Sequence, residues 1–223
     1  MTAPLHADVR NGIRHWLMLG NDTYGDCVEA ALAHIEMCKA TANASSWKKL
    51  LYRIGFKPPT PAWTVGLYSS YLTSVGETLK QDPGTMPPLF FAWMKSQGYI
   101  IDWGFVGQPP SIGSEDRVHQ AMSDYRGLLL TVTLTLDAYN NFFGRTPWSI
   151  GPNPNDQPDP SLQHAVALVA YGPQRDTVIS WARTKSVTRP FMADCANGAY
   201  VFLTEQDKSN PNFAQLLANI KNL

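Results

Sequence analysis

The chain has 223 residues, of which 44% are hydrophobic and 11% aromatic, as in a folded protein with one sizeable core or two small lobes. Lysine plus arginine number 18, as do aspartate plus glutamate. No run of like charge stands out, so the sequence predicts neither nucleic acid nor a membrane surface as a partner. Three cysteines are too few for a disulfide framework.

The N-terminal residues lack a basic segment followed by an apolar core, and no stretch approaches the length of a membrane span. The sequence therefore predicts a protein that is not secreted by a cleaved signal peptide.

Residues 20–27 read Gly-Asn-Asp-Thr-Tyr-Gly-Asp-Cys and lead directly into an apolar run with helical spacing. The spacing predicts a helix that starts at Cys27 and fades near residues 42–46. Two further helices are predicted, from Val65 to Leu79 and from Pro88 to Gln97, with Asp82-Pro83-Gly84 as a turn between them. Residues 114–124 form a polar stretch with helical character.

From residue 127 the pattern changes to that of β-strands. Residues 128–136 alternate leucine or valine with threonine, which predicts a strand with one wetter face. Three more strands are predicted at 164–171, 176–181 and 198–204, and residues 172–175 form a hairpin turn between the first two. Helices followed by antiparallel strands indicate an α+β fold in a single domain, mainly helical over 1–126 and mainly β over 127–223. The long polar stretch 144–160 indicates a functional loop.

Cys27 lies where a turn becomes a helix. The first turn of a helix has unpaired N–H groups and the positive end of the macrodipole, and both favour a thiolate. This placement suits a nucleophile, although a small apolar residue buried at a helix start is an equal alternative. Cys195, before an Asn-Gly turn, is predicted to pack beneath the last strand.

A nucleophilic cysteine needs a base, and His164 is the candidate among five histidines. It opens an apolar strand directly after a loop, where it either faces a cleft or caps a buried strand. His34 lies two helical turns from Cys27, roughly 10 Å along the axis, too far to share a proton. With Cys38 it supplies only two ligands, so no metal site is predicted.

The remaining histidines, His6, His15 and His119, are predicted to lie at the surface. Asp176 starts the strand next to His164 and either orients its ring or is a solvated turn residue. Trp148 either packs in the core or lines a cleft or partner surface. No phosphate-binding loop, zinc quartet or pair of catalytic carboxylates is found, so no cofactor is predicted.

These residues resemble the pattern of the papain-like cysteine peptidases: a helix-start Cys27, then His-Ala-Val-Ala-Leu-Val-Ala-Tyr-Gly from residue 164, then a short strand ending at Trp181. The resemblance implies that His164 pairs with the Cys27 thiolate. It also implies that Asn21, six residues before the cysteine, replaces the family's glutamine as an oxyanion-hole donor beside the Cys27 N–H. Gly25 matches the family's glycine two residues before the nucleophile.

The chain departs from that family where an asparagine orients the histidine. It has Ile-Ser-Trp-Ala at 179–182, so Ser180, sixteen residues after His164, is the nearest polar substitute. Trp181 is expected to shield the histidine pair from water. Asp26 and Glu29 flank the thiol, and their charges oppose thiolate formation. Reduced or lost activity is therefore an alternative.

The chain is also similar to a group of uncharacterised papain-like proteins of tailed phages and some bacteria, mainly through the residue 20–27 string and the segment Asp-Cys-Ala-Asn-Gly-Ala-Tyr-Val at 194–201. The first hypothesis is a papain-like thiol hydrolase, a peptidase or amidase, acting on a protein or a cell-wall peptide. The alternative is a catalytically weak or inactive phage structural protein, head-associated or a decoration protein, with phage virion proteins as partners. A thiol transferase or deamidase is a third possibility. These hypotheses place the protein in the host cytoplasm or in the phage virion.

Overall fold

The structure is a computed structural model that describes residues 3–13, 15–42, 59–107 and 114–223. Within these ranges seven α-helices surround one antiparallel sheet of seven strands. The helices are α1 (Cys27–Ala42), α2 (Pro61–Ser74), α3 (Pro87–Ser96), α4 (Ser114–Tyr125), α5 (Leu136–Asn140), α6 (Arg189–Cys195) and α7 (Phe213–Ile220). The strands are β1 (Ala7–Asp8), β2 (Asp102–Gly107), β3 (Leu128–Thr135), β4 (Pro158–Tyr171), β5 (Arg175–Ser180), β6 (Arg183–Thr188) and β7 (Ala196–Leu203). Two 3-10 turns span Pro154–Asp156 and Glu205–Ser209.

The sheet has the strand order β2-β7-β3-β4-β5-β6, and β1 pairs with the end of β4. Side chains alternate between its two faces, as the period of a strand requires. Leu128 and Leu130 of β3 pack with α4, α6 and α7, whereas Leu129 packs on the opposite face with α1, α2 and α3. Both faces are therefore covered by helices, and α1 lies directly against β4.

The predicted α+β class is confirmed. The predicted strands at 128–136, 164–171, 176–181 and 198–204 correspond to β3, β4, β5 and β7. The helix predicted from Val65 to Leu79 starts earlier, at Pro61, because Thr60 caps it by accepting the N–H of Trp63 and proline suits the first helical position. The predicted fading of α1 at residues 43–46 lies outside the described residues.

The stretch 144–160, predicted as a functional loop, is partly built into the sheet. Strand β4 already begins at Pro158, and Trp148 forms a bridge with Val187. Trp148 is 2% exposed, and its indole N–H donates to the carbonyl of Ala138. The core alternative for Trp148 is confirmed, and the cleft alternative is wrong.

Two further predictions are wrong because a buried polar network satisfies the side chains concerned. His119 is buried rather than at the surface, and its Nε2 lies 3.0 Å from Asp176 Oδ1. Asp176 is also buried, and it accepts hydrogen bonds from the Arg189 guanidinium instead of orienting His164 or facing solvent. His6 and His15 are exposed, and Cys195 is buried, as predicted.

Lys39, near the end of α1, ties this helix to the end of β7. Its side chain is 1% exposed, and Nζ donates to the carbonyl of Phe202 (2.7 Å) and to Asp207 Oδ2 (2.9 Å). The ammonium also lies 4.0 Å from the centre of the Phe202 ring. The helix that begins with Cys27 is thus fixed at its far end by a buried ion pair. None of the described helices has the length and apolar character needed to cross a membrane.

Candidate active site

One cleft brings together the residues that the sequence singled out. Its volume is about 880 Å³, and its walls are the start of α1, the segment before α3, strands β3 and β4, and the turn after β5. Asn21, Cys27, His164 and Trp181 line the cleft. Ser180 is buried behind His164 and contacts its ring.

The turn before Cys27 requires glycine at its start. Gly20 has φ +103°, and a Cβ there would lie 2.5 Å from both Asp26 Oδ2 and Val65 Cγ2. The chain then turns tightly, with the N–H groups of Thr23 and Tyr24 donating to the Gly20 carbonyl. This geometry leaves Cys27 as the first residue of α1, with its side chain partly exposed to the cleft.

The carboxylate of Asp82, distant in sequence, holds this turn by direct hydrogen bonds. Asp82 accepts the Gly25 N–H with both oxygens, at 2.9 and 3.0 Å, and also accepts the Tyr68 hydroxyl at 2.8 Å. Tyr68 Oη in turn accepts the Gly84 N–H. The sequence predicts residues 82–84 only as a turn, because nothing local signals a partner 57 residues away. Asp82 therefore fixes one wall of the cleft against the turn that presents Cys27.

His164 lies between a serine and a tryptophan. Its Nε2 is 2.7 Å from Ser180 Oγ, and its ring stacks on Trp181 with centroids 4.2 Å apart and an interplanar angle of 14°. With Nε2–H donating to Ser180, Nδ1 keeps the lone pair that a general base needs. Strand pairing places these groups, because His164 lies in β4 and Ser180 ends the neighbouring β5.

The turn that carries the tryptophan is strained. Ser180 pairs with Arg183, which leaves Trp181 and Ala182 as a two-residue hairpin loop with φ +39° and +61°. Both residues have positive φ, as in the type I′ turn that suits antiparallel strands, but neither is glycine. Such conformations cost about 1 kcal/mol or more per residue. The strain is offset by packing of the indole on His164 and against Phe142.

Burial keeps the cysteine and the histidine neutral. Burial, the larger cause, and the negative charge of Glu29 together raise the pKa of the Cys27 thiol to about 12. Hydrogen bonding by the backbone of Ala165, the residue after His164, acts in the opposite direction. Burial also lowers the pKa of His164 to about 3. The resting pair is therefore a thiol and a neutral imidazole.

Two buried carboxyl groups flank the thiol. Burial raises the pKa of Asp26 to about 7, while the Asn21 side chain opposes this rise. Neither carboxyl oxygen of Asp26 has a partner with ordinary hydrogen-bond geometry among the described residues. Burial likewise raises the pKa of Glu29 to about 8, although its Oε1 accepts the Thr85 hydroxyl at 2.8 Å. Both groups are substantially protonated at neutral pH.

Asn21 lines the cleft near Cys27, but its amide is partly engaged. Its Nδ2 lies 3.4 Å from the Tyr24 carbonyl, at the long end of a hydrogen bond. The same side chain also makes a hydrogen bond of less than ordinary geometry to the buried Asp26 carboxyl, which opposes the rise of that group's pKa, so two neighbours engage the amide.

His34 and Cys38 take no part in the site. His34 is buried beside Trp16, and its Nε2 lies 3.0 Å from the Leu17 carbonyl. No group of three or more potential metal ligands occurs among the residues that the structure describes.

No protein-family model and no curated protein matches the sequence. The structure is similar to that of xylellain, a cysteine protease from Xylella fastidiosa, with a TM-score of 0.62, 11% identity, and coverage of 91% of this chain and 87% of that one. A Carica candamarcensis cysteine protease in complex with E-64 matches with a TM-score of 0.44 and 13% identity, covering 90% of this chain and 99% of that one, and adds no weight. The chain has the α+β fold of the papain-like cysteine proteases.

Proposed function

We propose that this protein is a thiol hydrolase that cleaves a peptide or amide bond with Cys27 and His164. The observation that carries the proposal is the joint placement of the two residues in one cleft, with a helix start behind the thiol and Ser180 bonded to the imidazole. The likeness to xylellain, a cysteine protease, supports the scaffold for this chemistry but not the substrate.

In the proposed reaction His164 accepts the Cys27 proton as the sulfur attacks a carbonyl carbon. The Cys27 N–H at the start of α1 and the Asn21 amide donate to the oxyanion. His164 then protonates the leaving amine, and water activated by His164 hydrolyses the thioester. Since both groups are neutral at rest, proton transfer accompanies attack rather than precedes it. We expect slower turnover than from a preformed ion pair.

The test is hydrolysis of a mixed peptide library by the full chain, with products identified by mass spectrometry. Changing Cys27→Ala removes the nucleophile, so cleavage should fall by about 10³-fold or more. Cys38→Ser is the matched control, because this thiol is buried in the core away from the cleft. Cleavage that survives Cys27→Ala, or that is absent from the unaltered chain, contradicts the proposal.

A second candidate is a papain-fold structural protein of a phage particle with little or no turnover. The raised pKa of Cys27 favours low turnover, and the phage assignment rests on the sequence resemblance of residues 20–27. The thiol then has no chemical role. Under this alternative Cys27→Ser leaves particle assembly and the copy number of the protein in particles unchanged, and the library stays intact. Loss of infectivity or lysis in the Cys27→Ser variant would favour the hydrolase instead.

A further inference from the structure

Two depressions lie to one side of the cleft that contains Cys27. The first, about 400 Å³, shares Asn21 and Trp181 with the cleft and is also lined by Tyr139 and Phe143; we call it the aromatic pocket. The second, about 420 Å³, shares Phe143 with the aromatic pocket, and its charged lining residues define the basic groove: Arg10, Arg145, Arg183 and Lys185. The shared lining residues place the cleft, the aromatic pocket and the basic groove side by side, in a row that leads away from the thiol.

This row starts on the histidine side of the cleft. Trp181 stacks on His164 and contacts Tyr139 edge-on, with ring centroids 5.9 Å apart. In the proposed reaction His164 gives its proton to the leaving amine. The part of a substrate that departs with a new N-terminus therefore lies over Trp181 and continues along this row.

Two arginines of the basic groove, Arg145 and Arg183, are exposed and can bind a ligand. Arg10 is paired with Asp8 at 2.5 Å, and Lys185 is buried, with its ammonium donating to backbone carbonyls of the 141–144 segment. Arg145 and Arg183 are exposed, and no carboxylate lines the groove among the described residues. The Arg183 guanidinium lies 4.9 Å from the centre of the Phe143 ring, which holds it at the border with the aromatic pocket.

We propose that the aromatic pocket and the basic groove bind the leaving-group side of a peptide substrate that carries an apolar or aromatic residue followed by acidic residues. The inference rests on the proposed function for the direction of the chain. Carboxylates suit exposed guanidinium groups, which bind them through two parallel hydrogen bonds. An extended peptide is favoured over other anions because the groove lies in one row with a cleft built around a nucleophile.

Binding is tested with the Cys27→Ala chain, so that turnover does not consume the probe. Two fluorescein-labelled peptides, Gly-Phe-Ala-Glu-Glu-Glu and Gly-Phe-Ala-Lys-Lys-Lys, are compared by fluorescence anisotropy at low and high salt. We expect the glutamate peptide to bind about tenfold more tightly at low salt, and the difference to shrink at high salt. Equal binding of the two peptides overturns the inference. Tighter binding of a labelled oligothymidine through the same arginines also overturns it.

Reversing the charge of the two exposed arginines tests whether the glutamate peptide binds in the basic groove. Arg145→Glu together with Arg183→Glu should abolish the preference for the glutamate peptide, and Arg145→Ala alone should weaken it. Both side chains are exposed, so the fold should persist. Lys221→Glu is the control, because Lys221 is exposed at the end of α7, which packs on β2 at the opposite edge of the sheet from β6. A preference that survives the double reversal, or that Lys221→Glu reduces equally, contradicts the inference.

Hydrolysis separates this inference from the proposed function. Suppose that the unaltered chain cleaves the library and that no acidic residues follow the new N-termini of the products. The proposed function then stands, and the inference about the groove fails. If the glutamate peptide binds through Arg145 and Arg183 while no cleavage depends on Cys27, the groove stands as a site for acidic peptides and the hydrolase proposal fails.

Discussion

At the scale of single residues, Glu29 adds to the effect of burial in opposing loss of the Cys27 proton. Its carboxyl group is buried beside the thiol, and its negative charge raises the pKa of Cys27. Because burial raises the pKa of Glu29 itself to about 8, that charge is present only in alkaline solution. Glu29 therefore becomes negatively charged over the same pH range in which an ordinary cysteine ionises and becomes reactive.

Replacing Glu29 by glutamine should make Cys27 react faster above about pH 8, by roughly three- to tenfold, and leave the rate unchanged below about pH 7. Glutamine keeps an oxygen to accept the Thr85 hydroxyl. The measurement is the rate of alkylation by iodoacetamide against pH, with Cys38 and Cys195 changed to serine. Glu205→Gln, at an exposed position, is the control. An equal rate increase at every pH would show that the substitution merely opens the site.

Asp26 links the stability of the fold to pH. Its folded pKa of about 7 lies above the ordinary value of 3.8, so the unfolded chain loses this proton first as the pH rises. The contribution of Asp26 to the free energy of unfolding therefore falls between about pH 4 and pH 7, and its full penalty is present above the folded pKa.

Asp26→Asn removes this penalty. Relative to the unaltered chain, the variant should gain stability between about pH 4.5 and pH 8.5, on the order of 3 kcal/mol. Urea unfolding at the two pH values measures the difference. Asp22→Asn, at an exposed position, serves as the control. The same pH response in both variants would show that Asp26 does not cause the pH dependence of the free energy of unfolding.

At the scale of elements, the hairpin turn at 181–182 stores strain that a glycine would relieve. Ala182 has φ +61°, a conformation that glycine adopts without cost. Ala182→Gly should stabilise the chain by about 0.5–1 kcal/mol in urea unfolding, whereas Ala62→Gly, at an exposed position in α2, should destabilise it by a similar amount. If both substitutions destabilise the chain, the turn is not strained at Ala182.

The sequence predicts those elements whose signals are local. Residues 128–136 alternate in polarity, proline opens α3, and the apolar run after Cys27 has helical spacing. Strands β2 and β6 escape prediction because one contains glycines and the other reads Arg-Thr-Lys-Ser-Val-Thr, in which Val187 is the single apolar residue. They become strands by pairing with β7 and β5 at the two edges of the sheet.

In the candidate site, too, local sequence signals predict some residues, whereas contacts between distant residues are not predicted. The positions of Cys27, His164, Ser180 and Trp181 follow from spacing and from resemblance. The tether from Asp82 and the burial of Asp176 depend on residues that are far apart in sequence, and no single-sequence pattern encodes such pairs. The catalytic roles of Cys27, His164, Ser180 and Asn21 and the shielding role of Trp181 stay predictions until the library experiment.

At the scale of the whole molecule, the buried ion pair of Lys39 with Asp207 joins α1 to the end of the sheet. Breaking a buried pair leaves an uncompensated charge, so Lys39→Met should cost about 3 kcal/mol in urea unfolding. Lys95→Met is the matched control, because the Lys95 side chain is 49% exposed in its pair with Asp102, and this variant should lose less than about 1 kcal/mol. Equal losses of unfolding free energy in the two variants would show that burial of the Lys39–Asp207 pair does not increase its contribution to stability.

The stacking of Trp181 on His164 gives the molecule a built-in optical probe. An imidazolium in face contact with an indole quenches its fluorescence, whereas a neutral imidazole quenches it far less. Subtracting the emission of a Trp181→Phe variant from that of the unaltered chain isolates this one indole. The remaining signal reports the charge of His164, so binding of a ligand or modification of Cys27 that protonates the ring becomes visible as dimming, before any product has formed.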